Sequence, residues 1–272
     1  MFGRANLKTL IIYHGESSIE KAERVENYYG FENGISGKKL YETGIKQAKN
    51  IGVQLKKEEV IKIEIINNGF RVVTVKDEYI GKTVILATGN KKNKPKIKGI
   101  EKFEGKGISY CAVCDGFFYR KRSIAVLGSG NYAVSETNEL INIASDIKIL
   151  TNGEQPPEFR ADNVEIDTKP IKEILGNKMV EGIEFEDGTK IKTDGIFVAH
   201  GVAGSIDFAK KLGVITKKNQ IVVNENMETN KKGLYACGDC IGGILQVSKA
   251  VYDGTKAGLQ IIRYIRGTKN NN

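Results

Sequence analysis

What the 272-residue sequence lacks narrows its class before any motif is considered. It has only 4 prolines against 31 glycines, and 40% of its residues are hydrophobic, which excludes a disordered or fibrous chain and suits a folded α/β protein. No apolar run approaches the roughly 20 residues needed to cross a bilayer. The opening MFGRANLKTLII lacks the apolar stretch and small-residue cleavage site of a signal peptide. A cytoplasmic protein with no membrane or nucleic-acid partner is expected. There is no internal repeat, and the one biased segment is the polar tail from Lys269 to Asn272. The two histidines, His14 and His200, stand apart from every cysteine motif and read as surface and turn residues.

The formal charge of +9 comes from 42 Lys and Arg against 33 Asp and Glu. The only dense basic stretch is NKKNKPKIK, from Asn90 to Lys98. A lysine-rich solvated surface explains this, and attraction to an acidic protein partner is the functional alternative.

Strands and helices alternate along the chain. Apolar β-branched runs predict strands at Thr9 to Ile12, Val60 to Ile65, Phe70 to Val75, Thr83 to Leu86, Ser123 to Leu127, Ile147 to Leu150 and Gly195 to Val198. Helical spacing of Leu40, Ile45, Ala48 and Ile51 predicts one amphipathic helix, and Val134, Leu140, Ile141 and Ala144 a second. A third, from about Val247 to Ile265, carries Ala250, Val251, Ala257, Ile261 and Ile265. Strand, glycine turn and helix in succession argue for doubly wound parallel sheets in two units, the second inserted into the first.

The four cysteines fall as two C-x-x-C pairs, Cys111 with Cys114 and Cys237 with Cys240. In a reducing compartment such cysteines are catalytic or metal-bound rather than structural staples. Two thiols at this spacing can close a small reducible ring, with one of them attacking as thiolate. Asp115, directly after the second thiol, can move the proton that exchange requires. Spacing alone leaves redox, zinc and chance readings open. The context downstream of Cys114 favours redox chemistry: SIAVLGSGNYAVSE places Gly128, Gly130 and Ala133 as G-x-G-x-x-A between a strand and a helix, where a backbone can approach a pyrophosphate. ILATGN, from Ile85 to Asn90, and LYACGDCIGG, from Leu234 to Gly243, are further strands ending in small-residue turns. Gly238 and Asp239 in the second suit a ribityl or ribose hydroxyl, with helix capping as the plainer role. A zinc-stabilised binding module built from both cysteine pairs is the alternative from another class, but the pairs lie far beyond the usual loop of about 15 to 20 residues.

With these residues in view, the chain resembles the low-molecular-weight bacterial thioredoxin reductases over essentially its full length. The resemblance is carried by GRANLKTLII, VENYYGF, the ATG at Ala87 to Gly89, CAVCDGFFYR, GSGNYAVSE and YACGDC followed by GGILQVSKAVYDG. It implies a two-domain FAD/NAD(P)-binding Rossmann-like flavoprotein that is a homodimer. Residues 1–103 and 204–272 would form the FAD domain, and 104–203 the nucleotide-type domain with the redox disulfide. It further implies FAD contacts from Asn27, Thr88, Gly89, Asp239, Gln246 and Val247, with Cys114 nearest the isoalloxazine and Cys111 meeting thioredoxin.

Three departures from the family pattern shape the expected activity. The strand and G-x-G-x-x-G turn that open the family's FAD domain do not precede Met1, so Met1 reads as a misassigned start or fragment edge, with poor flavin affinity and activity expected of the chain as written. The arginines that pair with the 2′-phosphate of NADPH are replaced by Thr151, Asn152, Gly153 and Glu154, a deficit of several kcal/mol at about 1.5 to 3 kcal/mol for each charged hydrogen bond. The stretch from Leu150 to Phe197 looks short. These last two features resemble the clostridial ferredoxin-dependent flavin thioredoxin reductases, so ferredoxin rather than NAD(P)H is the expected donor, with an ordinary NADPH-dependent reductase as the alternative. Electron transfer from a ferredoxin near −400 mV to a thioredoxin near −270 mV releases about 6 kcal/mol.

Overall fold

The computed structural model describes residues 2–89 and 95–269, so Asn90 to Lys94 of the basic stretch lie outside the described residues. Two compact units emerge: Met1–Asn90 with Leu212–Asn272, and Lys91–Lys211 inserted between them. No helix among the described residues is long and apolar enough to cross a membrane.

The first unit opens with β1 (Leu10–Tyr13), α1 (Gly37–Asn50) and β2 (Gln54–Lys57), in which β1 and β2 pair in parallel. Ser36 starts α1 by accepting the Lys39 N–H on its hydroxyl. Leu40, Ile45 and Ala48 then fall on its half-buried face, as their spacing requires. An antiparallel meander follows: β3 (Val60–Ile66), β4 (Gly69–Thr74) and β5 (Glu78–Gly81). It turns tightly at Asn68 and Gly69, both at positive φ. β6 (Val84–Leu86) leads out of this unit.

The inserted unit holds β7 (Ile108–Ser109), the one-turn α2 (Ala112–Asp115), β8 (Ser123–Leu127), α3 (Asn131–Leu140) and β9 (Asp146–Leu150). After them come β10 (Val164–Asp167), β11 (Ile171–Gly176), β12 (Val180–Phe185), β13 (Lys190–Lys192), β14 (Gly195–Val198) and α4 (Ser205–Lys211). Five strands form a parallel sheet in the order β10-β9-β8-β14-β7, and β11-β12-β13 form a separate antiparallel sheet. A common core joins them through Phe103, Leu127, Leu150, Ile183, Phe185 and Ile196.

Sequence periodicity located β8, β9 and β14 but no strand between Leu150 and Gly195. The antiparallel strands there alternate apolar with charged residues, and their outward face is held by Lys172 and Lys190 pairing with Glu184. The buried face of α3 also differs from expectation. Ala133, Glu136, Thr137 and Leu140 face inward, while Ile141 and Ala144 lie beyond the helix end at Leu140. The expected boundaries at 103/104 and 203/204 fall inside the observed unit. Ile97, Ile100 and Phe103 belong to its core, and α4 packs on α2.

The first unit resumes with the short hairpin β15 (Thr216–Lys217) and β16 (Gln220–Ile221), then β17 (Leu234–Ala236) and α5 (Val247–Lys269). β17 pairs in parallel with β6, Ala236 opposite Leu86. The parallel strands of this unit stand as two separate pairs, β1-β2 and β17-β6. On α5, Asp253, Ala257 and Ile261 are buried, whereas Val251 is 49% exposed because the adjacent Ala250 takes the inward side.

Candidate active site

Cys111 and Cys114 are joined in a disulfide on the first turn of α2. The local sequence accounts for the geometry: Cys111 is extended and acts as the N-cap, its sulfur accepting the Cys114 N–H at 3.2 Å. That N–H favours negative charge on the Cys111 sulfur once the ring opens. Cys111 is 3% exposed, whereas Cys114 is exposed and its sulfur lies 3.8 Å from the Lys210 carbonyl of α4. Asp115 accepts the Ser109 hydroxyl at 2.6 Å, and that same hydroxyl oxygen accepts the Cys111 N–H at 3.1 Å. A carboxylate, a hydroxyl and the Cys111 backbone are thus connected in one short network. Tyr119, packed edge-on against Phe197, has its hydroxyl pushed above its ordinary range by burial and then by the Asp115 charge.

Beneath α2 lies a charged group that pattern reading overlooked. Glu136, 1% exposed, accepts the Ala112 N–H at 2.8 Å and pairs with Lys211 at the end of α4. Burial raises its carboxyl, and Lys211 and the Ala112 N–H pull it back. Tyr132 lies beside it, with the Lys211 ammonium over its ring and a buried hydroxyl that has no partner among the described residues. The available signal was the i, i+3, i+4, i+7 spacing of Ala133, Glu136, Thr137 and Leu140, hidden because a glutamate is counted as polar.

This arrangement makes Lys211→Met a stability test. Removing the cation leaves a buried, unpaired carboxylate, a loss of about 3 to 5 kcal/mol. Without Lys211 the folded-state carboxyl rises further above its unfolded value. Stability is therefore lost as pH rises between those two values and is regained on acidification, when Glu136 becomes neutral. Urea denaturation at pH 5 and pH 8 should show the larger loss at pH 8.

In the first unit the expected cofactor residues gather in two places. The β6-β17 pairing brings Thr88 and Gly89 beside Gly238 and Asp239 at the carboxyl ends of neighbouring parallel strands, the usual location for a nucleotide ligand. Gly89, at φ +76°, has nothing among the described residues within 4 Å of where a side chain would begin, so a ligand can approach its backbone closely. Separately, Asn27 donates to the Gln246 side chain at 2.7 Å across a cleft of about 500 Å³ lined also by Arg24, Glu26 and Val247. Two residues that the sequence reading did not single out hold the Gly238 turn. Asp253 accepts the Gly238 N–H at 3.2 Å, and Lys249 donates to the Gly238 and Gly242 carbonyls. These residues fit FAD.

Cys237 and Cys240 are buried and are not joined in a disulfide. The Cys240 thiol donates to the Leu86 and Cys237 carbonyls, and burial, then the Cys240 and Asp253 charges, push the Cys237 thiol up to about 12. Such a thiol is a poor nucleophile. Among the described residues, no three His, Cys, Asp or Glu side chains cluster to hold a metal ion.

The glycine turn of the inserted unit is well formed. A side chain at Gly128 would meet the Ala199 carbonyl at 2.2 Å, and Ala133 is fully buried against that turn. Beyond β9, however, Thr151 to Glu154 present a carboxylate and no cation, and Arg160 is exposed further along the chain. These residues do not fit the 2′-phosphate of NADPH.

Comparison with known proteins agrees with this arrangement. Residues 5–254 match the model of the pyridine nucleotide-disulphide oxidoreductases. The chain is 33% identical to a thioredoxin reductase of Aquifex aeolicus over 98% of its own length and 88% of that protein's. It resembles the crystal structure of the atypical thioredoxin reductase TRi from Desulfovibrio vulgaris Hildenborough with a TM-score of 0.90 and 35% identity, covering 98% of this chain and 92% of that one. A ferredoxin-flavin thioredoxin reductase from Clostridium acetobutylicum matches with a TM-score of 0.63 and 30% identity, over 96% of this chain and 98% of that one. A disulfide capped on a one-turn helix, a glycine turn in the same unit and the match along the chain place this protein in the pyridine nucleotide-disulphide oxidoreductase family, among the low-molecular-weight thioredoxin reductases.

Proposed function

We propose that this oxidoreductase, a flavoprotein with FAD as cofactor, reduces a thioredoxin-type protein through Cys111 and Cys114 with electrons supplied by ferredoxin. The observation that carries the reading is the Cys111–Cys114 disulfide, with Asp115 linked through Ser109 to the Cys111 backbone. FAD, when bound, supplies the chemistry that gathers single electrons into a two-electron reduction of that disulfide.

The chain's own residues do the rest. Two electrons and one proton open the Cys111–Cys114 bond to a thiol and a thiolate. The Cys111 thiolate, favoured by the Cys114 N–H, attacks the thioredoxin disulfide and forms a mixed disulfide, and the leaving thioredoxin thiolate takes up the proton that the Cys114 thiol gives up, which leaves Cys114 as thiolate. The Cys114 thiolate then attacks Cys111, restores the ring and releases the second thioredoxin thiolate, which takes up the second proton. Asp115 handles these protons and Ser109 keeps its carboxylate aimed. Because Cys111 is buried and Cys114 exposed, Cys111 must become uncovered before thioredoxin can meet it.

Support for ferredoxin comes from the absence of a cation between Thr151 and Glu154, from the net charge of +9, and from the similarity to the C. acetobutylicum protein named for that donor. The same reading places the enzyme in the cytoplasm as a homodimer, as its resemblance to thioredoxin reductases implies. Asp115→Asn tests the proton role: thioredoxin reduction should fall by about 10² to 10⁴ while FAD binding, read by absorbance, stays unchanged. Full activity in this variant would remove Asp115 from the mechanism.

A further inference from the structure

We infer that Glu136, held in place by Lys211, is a positioning residue that sets the redox poise of the Cys111–Cys114 pair and keeps that pair reducing. The inference deepens the function proposed above and rests on the exchange role of the disulfide.

The amides around the Cys111 sulfur each have a partner. The Cys111 N–H donates to the Ser109 hydroxyl, and the Cys114 N–H donates to the Cys111 sulfur at 3.2 Å. Between them, the Ala112 N–H donates to the Glu136 carboxylate at 2.8 Å. An amide next to the exchanging sulfur is thus held by a full negative charge and is not offered to a thiolate. Glu136 is 1% exposed and lies on α3, so solvent screens its charge little. The ammonium of Lys211, itself almost buried at the end of α4, pairs with it and keeps it ionised. Asp207, also on α4, accepts the Gly204 N–H at 2.8 Å and acts on Glu136 as a like charge. Tyr132, on α3, stays neutral, since burial and then the Glu136 charge push its hydroxyl up. On the other side of Cys111 stands Asp115, linked through Ser109.

Charge then fixes the direction of the effect. Two electrons and one proton open the disulfide to a thiol and a thiolate, and a buried carboxylate one residue from Cys111 disfavours the thiolate. The reduced pair is destabilised and passes its electrons on more readily. A pair whose reduced form is stabilised is, by contrast, an oxidant. Lys211 opposes Glu136 and moderates its influence, so removing either charge alone should move the poise, in opposite directions.

The test is anaerobic equilibration of the full chain with mixtures of reduced and oxidised dithiothreitol, then alkylation and mass spectrometry of the peptide carrying Cys111 and Cys114. In that exchange one dithiothreitol dithiol closes to its cyclic disulfide as the protein disulfide opens to two thiols. Glu136→Gln removes the charge while glutamine can still accept the Ala112 N–H. At pH 9, where the thiolate is populated, this variant should shift the equilibrium toward the protein dithiol by on the order of tenfold, ~30 mV. At pH 6, where both thiols are protonated, the shift should be much smaller. Lys211→Gln should shift the pH 9 equilibrium toward the disulfide, and it reads the same charge should Glu136→Gln fail to fold. The double variant, which leaves no buried charge unpaired, should fold and return most of the way to the wild type, a reversal that mere loosening of α2 would not give. Wild-type poise in the folded single variants, a shift equal at both pH values, or a double variant displaced as far as Glu136→Gln overturns the assignment. The expected shifts in a protein that cannot reduce thioredoxin would sink the proposed function alone.

Discussion

Serine at either Cys111 or Cys114 is expected to cut thioredoxin reduction to below about a thousandth of the wild-type rate, since each removes one half of the exchange cycle. The two variants should nevertheless differ. Cys114→Ser retains the thiol whose sulfur accepts the Cys114 backbone N–H and lacks only the resolving partner, so it should accumulate a mixed disulfide with thioredoxin on Cys111. Cys111→Ser should not. Mass spectrometry of the trapped species reads the difference, and thioredoxin found on Cys114 instead would exchange the two roles, in keeping with the greater exposure of that sulfur. Cys240→Ser is expected to keep most of the activity, because its thiol is spent on two backbone carbonyls inside the first unit. Loss of turnover in that variant with FAD retained would promote the second pair to a redox role.

The second large effect concerns the donor. In stopped-flow mixing of the FAD-loaded enzyme, reduced ferredoxin should bleach the flavin rapidly, whereas NADPH should leave it oxidised even at millimolar concentration. Several kcal/mol of phosphate binding are missing when a two-arginine site becomes Thr151 to Glu154. Ferredoxin-driven turnover should also fall steeply as salt is added. A chain of net charge +9 meeting an acidic protein is steered over about one Debye length, ~8 Å at physiological ionic strength. Rapid bleaching by micromolar NADPH, with ferredoxin inert, would return the protein to the ordinary NADPH-dependent reductases.

The parallel strands β8 and β14 were legible because they are buried on both faces and nearly continuously apolar, and β9 because Ile147, Ile149 and Leu150 are buried. The β11 to β13 meander was not, because its strands carry charges on the side away from the core and pair with one another across it, as Lys172 and Glu184 do. A similar contrast runs through the site. Cys111, Cys114 and Asp115 sit within one short stretch, and their spacing already suggested exchange chemistry. Ser109, Glu136 and Lys211 join them only through contacts between β7, α2, α3 and α4.

Residue type and spacing pointed to the chemistry: which cysteines are spaced for disulfide exchange, which glycines leave room for a phosphate, and which turn lacks an arginine. These are local properties, set by residue type and spacing along a few turns of chain. Tertiary structure alone decided that Cys111 is covered while Cys114 is open, that Gln246 meets Asn27, and that Glu154 turns back onto Ser129. Burial, charge pairing and hydrogen bonding depend on what the rest of the fold places within a few ångströms, and spacing along the chain does not encode that.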